Sequence, residues 1–479
     1  MTRVSEQFDL GLSQPQLDFV DVDVTSDTEL YVDPHALRQL RTEWGQACVA
    51  LLQAYFGCVL AAIKAGDRAK ADELLGQLRE PNQTRLGFSE GRPAGHALGP
   101  ELAAAVRAQL ERSQALRTGL IQDLEDTILM IPLIGRDLIS DITTNVIRQP
   151  LITYTQQVCE DLGIPMDVDV YAGPVWDPAT EEWTQGFATL PWVGRHALLL
   201  VPKVIVRRKM DFEADDYYDK HIVPFLQEEE IRAGTELVRL LKGTGEPRVD
   251  KKDVREKYPR GKAFNEQMTR THPQLLRDYR RSKRRHAPPA ITHDGIAGVT
   301  GTEPPDWDAL LAAVAAVAPG NAGATRYHRA VEALLVPLLY PWLSNLAHEA
   351  EIHEGRKRVD IRFDNTATAG FFDWLGNRYD VPFVFAECKN YAEDPDNPAL
   401  DQLAGRFSPR RGTFGLLVCR TIADKATFEA RCHDTANDGR GFIIGLDDVD
   451  LAALVEARGA NDGSDPMRLL RRRFNRLVM

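Results

Sequence analysis

A glutamate and a lysine two residues apart, Glu387 and Lys389, stand at the end of the apolar run VPFVFAECKNY. Residues two apart in a β-strand point to the same face, so these charged side chains are predicted to emerge side by side. Charges at the end of a buried strand are costly unless they are paired, metal-bound or solvated. The pair is therefore a candidate for chemistry.

Asp360 is the second acidic candidate. The segment from Arg358 to Phe363 fits a strand with its apolar side chains on one face and Asp360 on the other. If the two strands are neighbours, Asp360 and Glu387 can hold one divalent cation between them. Mg²⁺ suits such a site because it takes few carboxylates and keeps several waters, and Mn²⁺ is the alternative. Lys389 would orient or help deprotonate an attacking water, while the cation neutralises charge on a phosphate.

The elements that must position these residues follow each other in an orderly pattern. A helix is expected from Ala324 to Leu346, followed by the two strands, a helix around Gln402, and the buried strands TFGLLVCR and GFIIGL, each followed by a helix. The order α-β-β-α-β-α-β-α predicts a layered α/β domain.

This arrangement resembles the PD-(D/E)xK nuclease superfamily, whose fold is the restriction-endonuclease-like fold. The matching residues are Glu332 on the leading helix, Asp360, Glu387-Cys388-Lys389 and Gln402 on the following helix. The resemblance implies that Asp360 and Glu387 ligate the metal and that Lys389 acts at the nucleophilic water. It also implies an auxiliary metal or water contact for Glu332 and a supporting role for Gln402. Val359 stands where the family name has proline.

The function that the resemblance implies is a Mg²⁺-dependent endonuclease that hydrolyses phosphodiester bonds of DNA, in bacterial restriction or anti-phage defence. A homodimer is expected, because many such nucleases pair to cut both strands. One alternative is a nucleic-acid- or partner-binding protein with an inactive nuclease-like domain, and another is a repair or junction-resolving enzyme. The plainest alternative makes Lys389 a snorkelling side chain with Glu387 as its surface partner.

Clusters of basic residues supply candidate contacts to the phosphates of a nucleic acid. These residues are Arg356, Lys357, Arg358, Arg406, Arg410 and Arg411. The arginines from Arg468 to Arg476 fit either a phosphate contact or a solvated charged face.

Composition and charge exclude further classes of protein. The 479 residues carry a net charge of −12, which argues against a protein that coats nucleic acid along its length. From Arg326 onward, 21 Lys and Arg face 23 Asp and Glu, so this part is nearly neutral. The six cysteines form no C-x-x-C pair, and we see no signal peptide and no apolar run near the roughly 20 residues of a membrane helix. We therefore expect a cytoplasmic protein that does not bind membranes.

The predicted fold class is multidomain α+β and α/β. Residues 1–165 are expected to be mostly helical, 166–280 mixed β/α, 281–323 a linker, and 324–479 the nuclease-like domain. The basic cluster from Arg280 to Arg285 fits either a DNA-contacting arm or ordinary linker polarity. We find no convincing catalytic motif before residue 300, so the N-terminal region is expected to be a sensor or specificity region that meets an activating ligand or a defence-system partner.

Overall fold

The computed structural model describes residues 2–87, 100–194, 196–285, 288–344, 361–459 and 465–479. It shows a mixed α+β chain with two large hydrophobic cores. The N-terminal core takes its buried side chains from Val4 to Ile296 and adds Tyr340, while the C-terminal core runs from Val314 to Leu477. A small third core lies beneath a hairpin in the middle of the chain.

The first part of the chain is helical, as its apolar periodicity predicts. Its helices and strand are α1 (Val4–Gln7), β1 (Tyr31–Val32), α2 (Pro34–Gln39), α3 (Glu43–Ala65), α4 (Arg68–Gly76), α5 (Pro100–Arg112), α6 (Gln114–Arg117), α7 (Leu124–Met130), α8 (Arg136–Val146) and α9 (Arg148–Leu162).

Helix α3 is long and apolar enough, by length and composition, to cross a membrane, and it is the one helix in the described part of the chain of which this is true. The expectation that no segment comes near that length is therefore wrong. The helix begins after Thr42, whose hydroxyl accepts from the Gly45 amide at 3.1 Å, and ends at Gly66 in the left-handed conformation. One side, including Leu52, Tyr55 and Val59, lies in the N-terminal core.

The middle of the chain mixes short strands with helices. Its elements are β2 (Asp167–Asp177), β3 (Glu182–Leu190), β4 (Trp192–Val193), β5 (His196–Ala197), β6 (Val206–Arg207), α10 (Ala214–Tyr217), α11 (Val223–Ala233), β7 (Arg239–Leu240), β8 (Pro247–Arg248), α12 (Lys251–Lys257), α13 (Lys262–Thr271) and α14 (Gln274–Arg285). Strands β2 and β3 form an antiparallel hairpin, and β1 pairs with β6 across the N-terminal region.

Residues 281–323, expected to be a linker, hold the end of α14 and two further helices, α15 (His293–Thr300) and α16 (Trp307–Ala315). Ile296 is buried in the N-terminal core and Val314 in the C-terminal core, so this segment joins the two cores by packing. The Gly, Pro and basic residues of this segment predicted a linker, because only a few apolar positions pack its helices against the cores.

Two members of the basic cluster on α14, Arg280 and Lys283, are engaged within the N-terminal region, whereas Arg284 and Arg285 are exposed. Arg280 donates hydrogen bonds to Asp126, and the ammonium of Lys283 lies 3.1 Å from Asp211 and 2.9 Å from Asp216. These cations neutralise acids of the N-terminal core.

The C-terminal part is a five-stranded sheet with helices on both faces. Its elements are α17 (Ala324–Leu339), β9 (Leu343–Ser344), β10 (Ile361–Asn365), α18 (Gly370–Tyr379), β11 (Phe383–Lys389), α19 (Asn397–Ala404), β12 (Phe414–Cys419), α20 (Lys425–Asn437), β13 (Phe442–Leu446), α21 (Asp448–Gly459) and α22 (Arg468–Val478). Helix α17 ends at Leu339, seven residues before the expected end, because the chain turns at Pro341, which has no amide N–H for a helix.

The strand order in this sheet is β13-β12-β11-β10-β9. Strand β11 pairs in parallel with β12 and antiparallel with β10, and β12 pairs in parallel with β13. Leu403 of α19 packs over Gly415 on one face, while Phe371 of α18 contacts Phe414 on the other. Strand β11 therefore lies in the centre of the sheet with both faces covered.

His293 lies where the two cores meet. Its imidazole is buried, and Nε2 lies 2.9 Å from the carbonyl oxygen of Pro337 in α17. Burial, reinforced by the charge of Lys203, lowers the pKa of His293 to about 3.

We expect the protein to lose stability as the pH falls below about 6.5, because the unfolded chain binds a proton at His293 that the folded chain excludes until about pH 3. At pH 5 this costs about 2 kcal/mol of the free energy of unfolding. Urea unfolding at pH 7 and pH 5 should show a larger loss for the parent than for His293→Gln. The exposed His196→Gln is the control, and equal losses in parent and His293→Gln would contradict the assignment.

Candidate active site

The site lies at the carboxyl end of the central strand β11. Val384, Phe385 and Ala386 are fully buried, as the continuous apolar run predicts for a strand covered on both faces. Alternation along the strand places Glu387 and Lys389 on one face and Cys388 on the other, where it packs at the edge of the C-terminal core.

Glu387, Lys389 and Gln402 meet in one hydrogen-bonded group, which we call the Glu387–Lys389–Gln402 triad. Lys389 Nζ lies 2.9 Å from Glu387 Oε1 and 2.9 Å from Gln402 Oε1. The amide of Gln402 donates from Nε2 to the same carboxylate oxygen. The two strand residues are thus side by side, as their spacing predicts, and the helix residue joins them.

The pair is not a surface ion pair. The side chain of Glu387 is 1% exposed and that of Lys389 is 12% exposed. Surface ion pairs contribute about 0–1 kcal/mol, whereas a buried carboxylate needs its partner to remain charged. The reading of Lys389 as a snorkelling side chain with a surface partner is therefore wrong.

Helix α19 brings Gln402 to the strand because it can pack closely on the sheet. A Cβ at Gly415 would lie 3.1 Å from the methyl groups of Leu403, so the absence of a side chain there permits the approach. Ala399, Leu400 and Leu403 are buried on the same side of the helix. Gln402, next to Leu403, is left at the rim of a cavity of about 510 Å³.

The other two candidate catalytic residues, Glu332 and Asp360, are not part of the described triad. Glu332 is half-buried on α17, the helix that packs against β11. Asp360 lies outside the described residues. Strand β10 begins at the next residue in the sequence, Ile361, whose Cα is paired with that of Ala386.

Within the described residues, no group of three or more His, Cys, Asp or Glu side chains is placed to hold a metal ion. Glu387 is the acidic member that the structure describes in the triad, whereas the amide of Gln402 turns its nitrogen to this carboxylate and its oxygen to Lys389. Carboxylate oxygens suit Mg²⁺ or Mn²⁺, which still require the second carboxylate expected from Asp360.

Of the six basic residues that were predicted to contact a nucleic acid, the structure describes three. Arg356, Lys357 and Arg358 lie outside the described residues. Arg406 is 7% exposed, so it cannot form a phosphate surface, while Arg410 is exposed and Arg411 is half-buried.

The loop that carries these arginines lies at the other end of the sheet. Gly412, at the end of this loop, sits against Val381 and Phe383, where β11 begins. Lys389 is six residues further along the strand, about 20 Å away at about 3.3 Å per residue. This loop therefore lies away from the triad, and contact of its arginines with the phosphates of a nucleic acid stays a prediction.

The arginines of the C-terminal helix α22 are largely engaged within the domain. Arg473 lies 2.6 Å from Asp450, Arg476 lies 3.0 Å from Glu429, and Arg471 lies over the ring of Trp374. This favours an intramolecular role for these three residues over a phosphate surface.

Asn390 is a positioning residue that the sequence analysis missed. Its buried Nδ2 donates to the carbonyl oxygens of Ala318 at 2.9 Å and Gly320 at 2.8 Å, and its own carbonyl accepts from the Gly320 amide at 2.7 Å. These bonds tie the end of β11 to the segment that leads into α17. A polar residue directly after Lys389 is the signal that the sequence offers for this role. Its partners could not be predicted, because Ala318 and Gly320 are 72 and 70 residues away in the chain.

Comparison with known proteins reaches the N-terminal region only. A family described as a domain of unknown function (DUF8370) matches residues 9–213, which is less than half of the chain. No curated protein and no solved structure matches the chain. The matched range contains helices α2 to α9 and the β2–β3 hairpin, and it ends before the triad.

We expect Lys389→Met to lower the free energy of unfolding by about 3–5 kcal/mol, because it leaves the buried carboxylate of Glu387 uncompensated. Adding Glu387→Gln should restore much of the loss. A double-mutant cycle in urea, followed by circular dichroism, measures this coupling.

The control for this cycle is Arg440→Met, which breaks an exposed pair with Asp401 at 2.7 Å. That change should cost less than about 1 kcal/mol. If Lys389→Met were equally mild, the triad would not be a buried ion pair.

Proposed function

We propose that residues 324–479 form a nuclease domain of the PD-(D/E)xK type, which hydrolyses phosphodiester bonds of DNA with a divalent metal ion. The observation that carries this proposal is the Glu387–Lys389–Gln402 triad at the end of a buried central strand. The placement of Glu332 on α17, of Glu387 and Lys389 on β11 and of Gln402 on α19 also agrees with it.

The pairing of β10 with β11 supports Asp360 as the second metal ligand. Ile361 and Ala386 are antiparallel partners, Asp360 precedes Ile361, and Glu387 follows Ala386. One further step of the same register would make Asp360 and Glu387 partners, and side chains of directly opposed residues share a face. We propose that these two carboxylates bind the metal together.

The chemistry divides among four side chains. A Mg²⁺ or Mn²⁺ ion held by Asp360 and Glu387 would supply a Lewis acid and lower the pKa of a bound water. Lys389 carries a positive charge at hydrogen-bonding distance from Glu387, where it can orient the attacking water and stabilise negative charge on the phosphate. Gln402 holds the Lys389 ammonium in place.

The N-terminal region would control or direct this activity. It has its own core and packs on α17, the helix that leads into the nuclease-like domain. We propose a sensor or specificity role, in bacterial restriction or anti-phage defence, with an activating ligand or a defence partner. A homodimer would allow both strands to be cut. The six cysteines are free thiols, which agrees with a cytoplasmic location.

A second candidate function follows from the hydrogen bonds that the three residues of the triad make to one another. Lys389 and Gln402 already bond to the carboxylate that would bind metal. A protein that binds nucleic acid or a partner through an inactive nuclease-like domain would keep such a closed group as a structural support. Metal binding and cleavage distinguish the two functions.

We expect the full chain to cleave plasmid DNA in Mg²⁺ or Mn²⁺ and to lose at least about 100-fold in rate with Asp360→Asn, Glu387→Gln or Lys389→Met. Gel electrophoresis of timed samples measures the rates. Asp401→Asn, which neutralises an exposed acid next to Gln402, is the control and should keep the parental rate. Cleavage that survives all three substitutions would refute the proposed site.

Metal binding can be measured independently of cleavage, through the Tm of the protein. Mn²⁺ in large excess should raise the Tm of the parent, because a ligand that binds only the folded state stabilises it. At about 100 times the Kd the gain is about 2.7 kcal/mol. Asp360→Asn and Glu387→Gln should remove the shift, and Asp401→Asn should keep it. A parent that shows neither a shift nor cleavage would support the inactive-domain alternative.

A further inference from the structure

We propose that the cavity beside Gln402 receives an unpaired nucleobase that stacks on Tyr391, so that the substrate is single-stranded or locally unpaired nucleic acid. This inference rests on the proposed nuclease function and names the substrate class of the same site. It is carried by the position and volume of the cavity, the exposure of Tyr391, and the charge around it.

The cavity opens directly beside the triad. Its volume is about 510 Å³, within the roughly 300–1,000 Å³ of typical ligand clefts. Gln402 and Asn321 line it together with Tyr391, Glu393 and Asp396. A group bound here would touch the amide that holds Lys389, next to the proposed point of cleavage.

Tyr391 is a large aromatic residue left exposed at this cavity. It is 40% exposed and follows Lys389 by two residues. Its backbone is held by the neighbouring Asn390, which makes three hydrogen bonds to the segment from Ala318 to Gly320. An exposed aromatic ring next to a fixed backbone is suited to stacking on any base, because every base has a π face.

The charge around the cavity selects the base over the phosphate. Glu393 and Asp396 are exposed acids on its wall, and Asp394 accepts from the amides of Ala423 at 2.6 Å and Asp424 at 2.8 Å. Carboxylates repel phosphate groups but not a neutral base. A phosphate backbone must therefore pass on the side of Lys389, while the base turns toward Tyr391.

A base in a duplex cannot make this contact. Its faces are covered by its neighbours, and an enzyme that reaches one must act on a single strand or flip the nucleotide out. The cavity therefore favours single strands, flaps or mismatched positions over continuous duplex.

The test measures binding of the full chain to a fluorescein-labelled 12-nucleotide DNA by anisotropy, as a single strand and as a duplex. Ca²⁺ replaces Mg²⁺ so that binding is measured without turnover. We expect the single strand to bind at least about tenfold more tightly than the duplex. Tyr391→Ala should weaken single-strand binding about tenfold or more, while Tyr391→Phe keeps the ring and should bind like the parent.

Two further measurements separate stacking from loss of fold. Tyr171→Ala removes a tyrosine of similar exposure on the β2–β3 hairpin and should leave binding unchanged. A 2-aminopurine in the strand should be quenched on binding to the parent and to Tyr391→Phe, and not with Tyr391→Ala. Equal affinity of parent and Tyr391→Ala, or of single strand and duplex, would overturn the inference.

Failure of this inference can be told apart from failure of the nuclease proposal. If plasmid DNA is cleaved in a manner that depends on Lys389 while Tyr391→Ala binds single strands like the parent, the base site is refuted and the nuclease stands. If nothing is cleaved while binding depends on the ring of Tyr391, the base site stands and the domain binds without cutting.

Discussion

The burial of one carboxylate constrains the whole C-terminal domain. Glu387 lies near the end of a strand that has neighbouring strands on both sides and helices on both faces, so water cannot solvate its charge. Lys389 supplies the opposite charge, and Gln402 bonds to both. That arrangement requires α19 to pack tightly, which the bare backbone of Gly415 allows, and it requires the strand end to be fixed, which Asn390 achieves. A buried pair of this kind is costly to assemble, which is why its position next to a cavity points to function.

The two halves of the chain share a boundary of mixed apolar and charged contacts. Tyr340, just after α17, is buried in the N-terminal core, and its hydroxyl donates to the Ile291 carbonyl at 2.8 Å. The ammonium of Lys203 lies 4.5 Å from the Tyr340 ring centre, and burial lowers the pKa of Lys203 to about 8. Arg41 reaches α18 through a 2.6 Å contact with Asp373. The N-terminal region is thus packed on the scaffold that carries the triad, which is the physical basis for proposing that it regulates the site.

Several elements were predictable because they depend on neighbours in the sequence. The apolar run from Val381 marks β11 as a buried central strand, and the periodic segment after Ala324 marks α17. Other elements were not predictable. Helix α18 lies between the two predicted strands, where no helix was expected, since its four aromatic residues and two glycines do not form a regular helical pattern. Helices α15 and α16 were not predicted because each buries only a few residues. Their stability comes from packing between the two cores.

The sequence by itself determined that Glu387 and Lys389 lie side by side, because alternation in a strand is a property of the backbone. It also determined which segments are buried strands, because short continuous apolar runs are typical of strands that are covered on both faces. Only the tertiary structure decided that Gln402 completes the pair, that Asn390 ties the strand end, and that the loop of Arg406 lies at the opposite end of the sheet. These facts depend on which residues far apart in the chain pack together, and local periodicity carries no information about that.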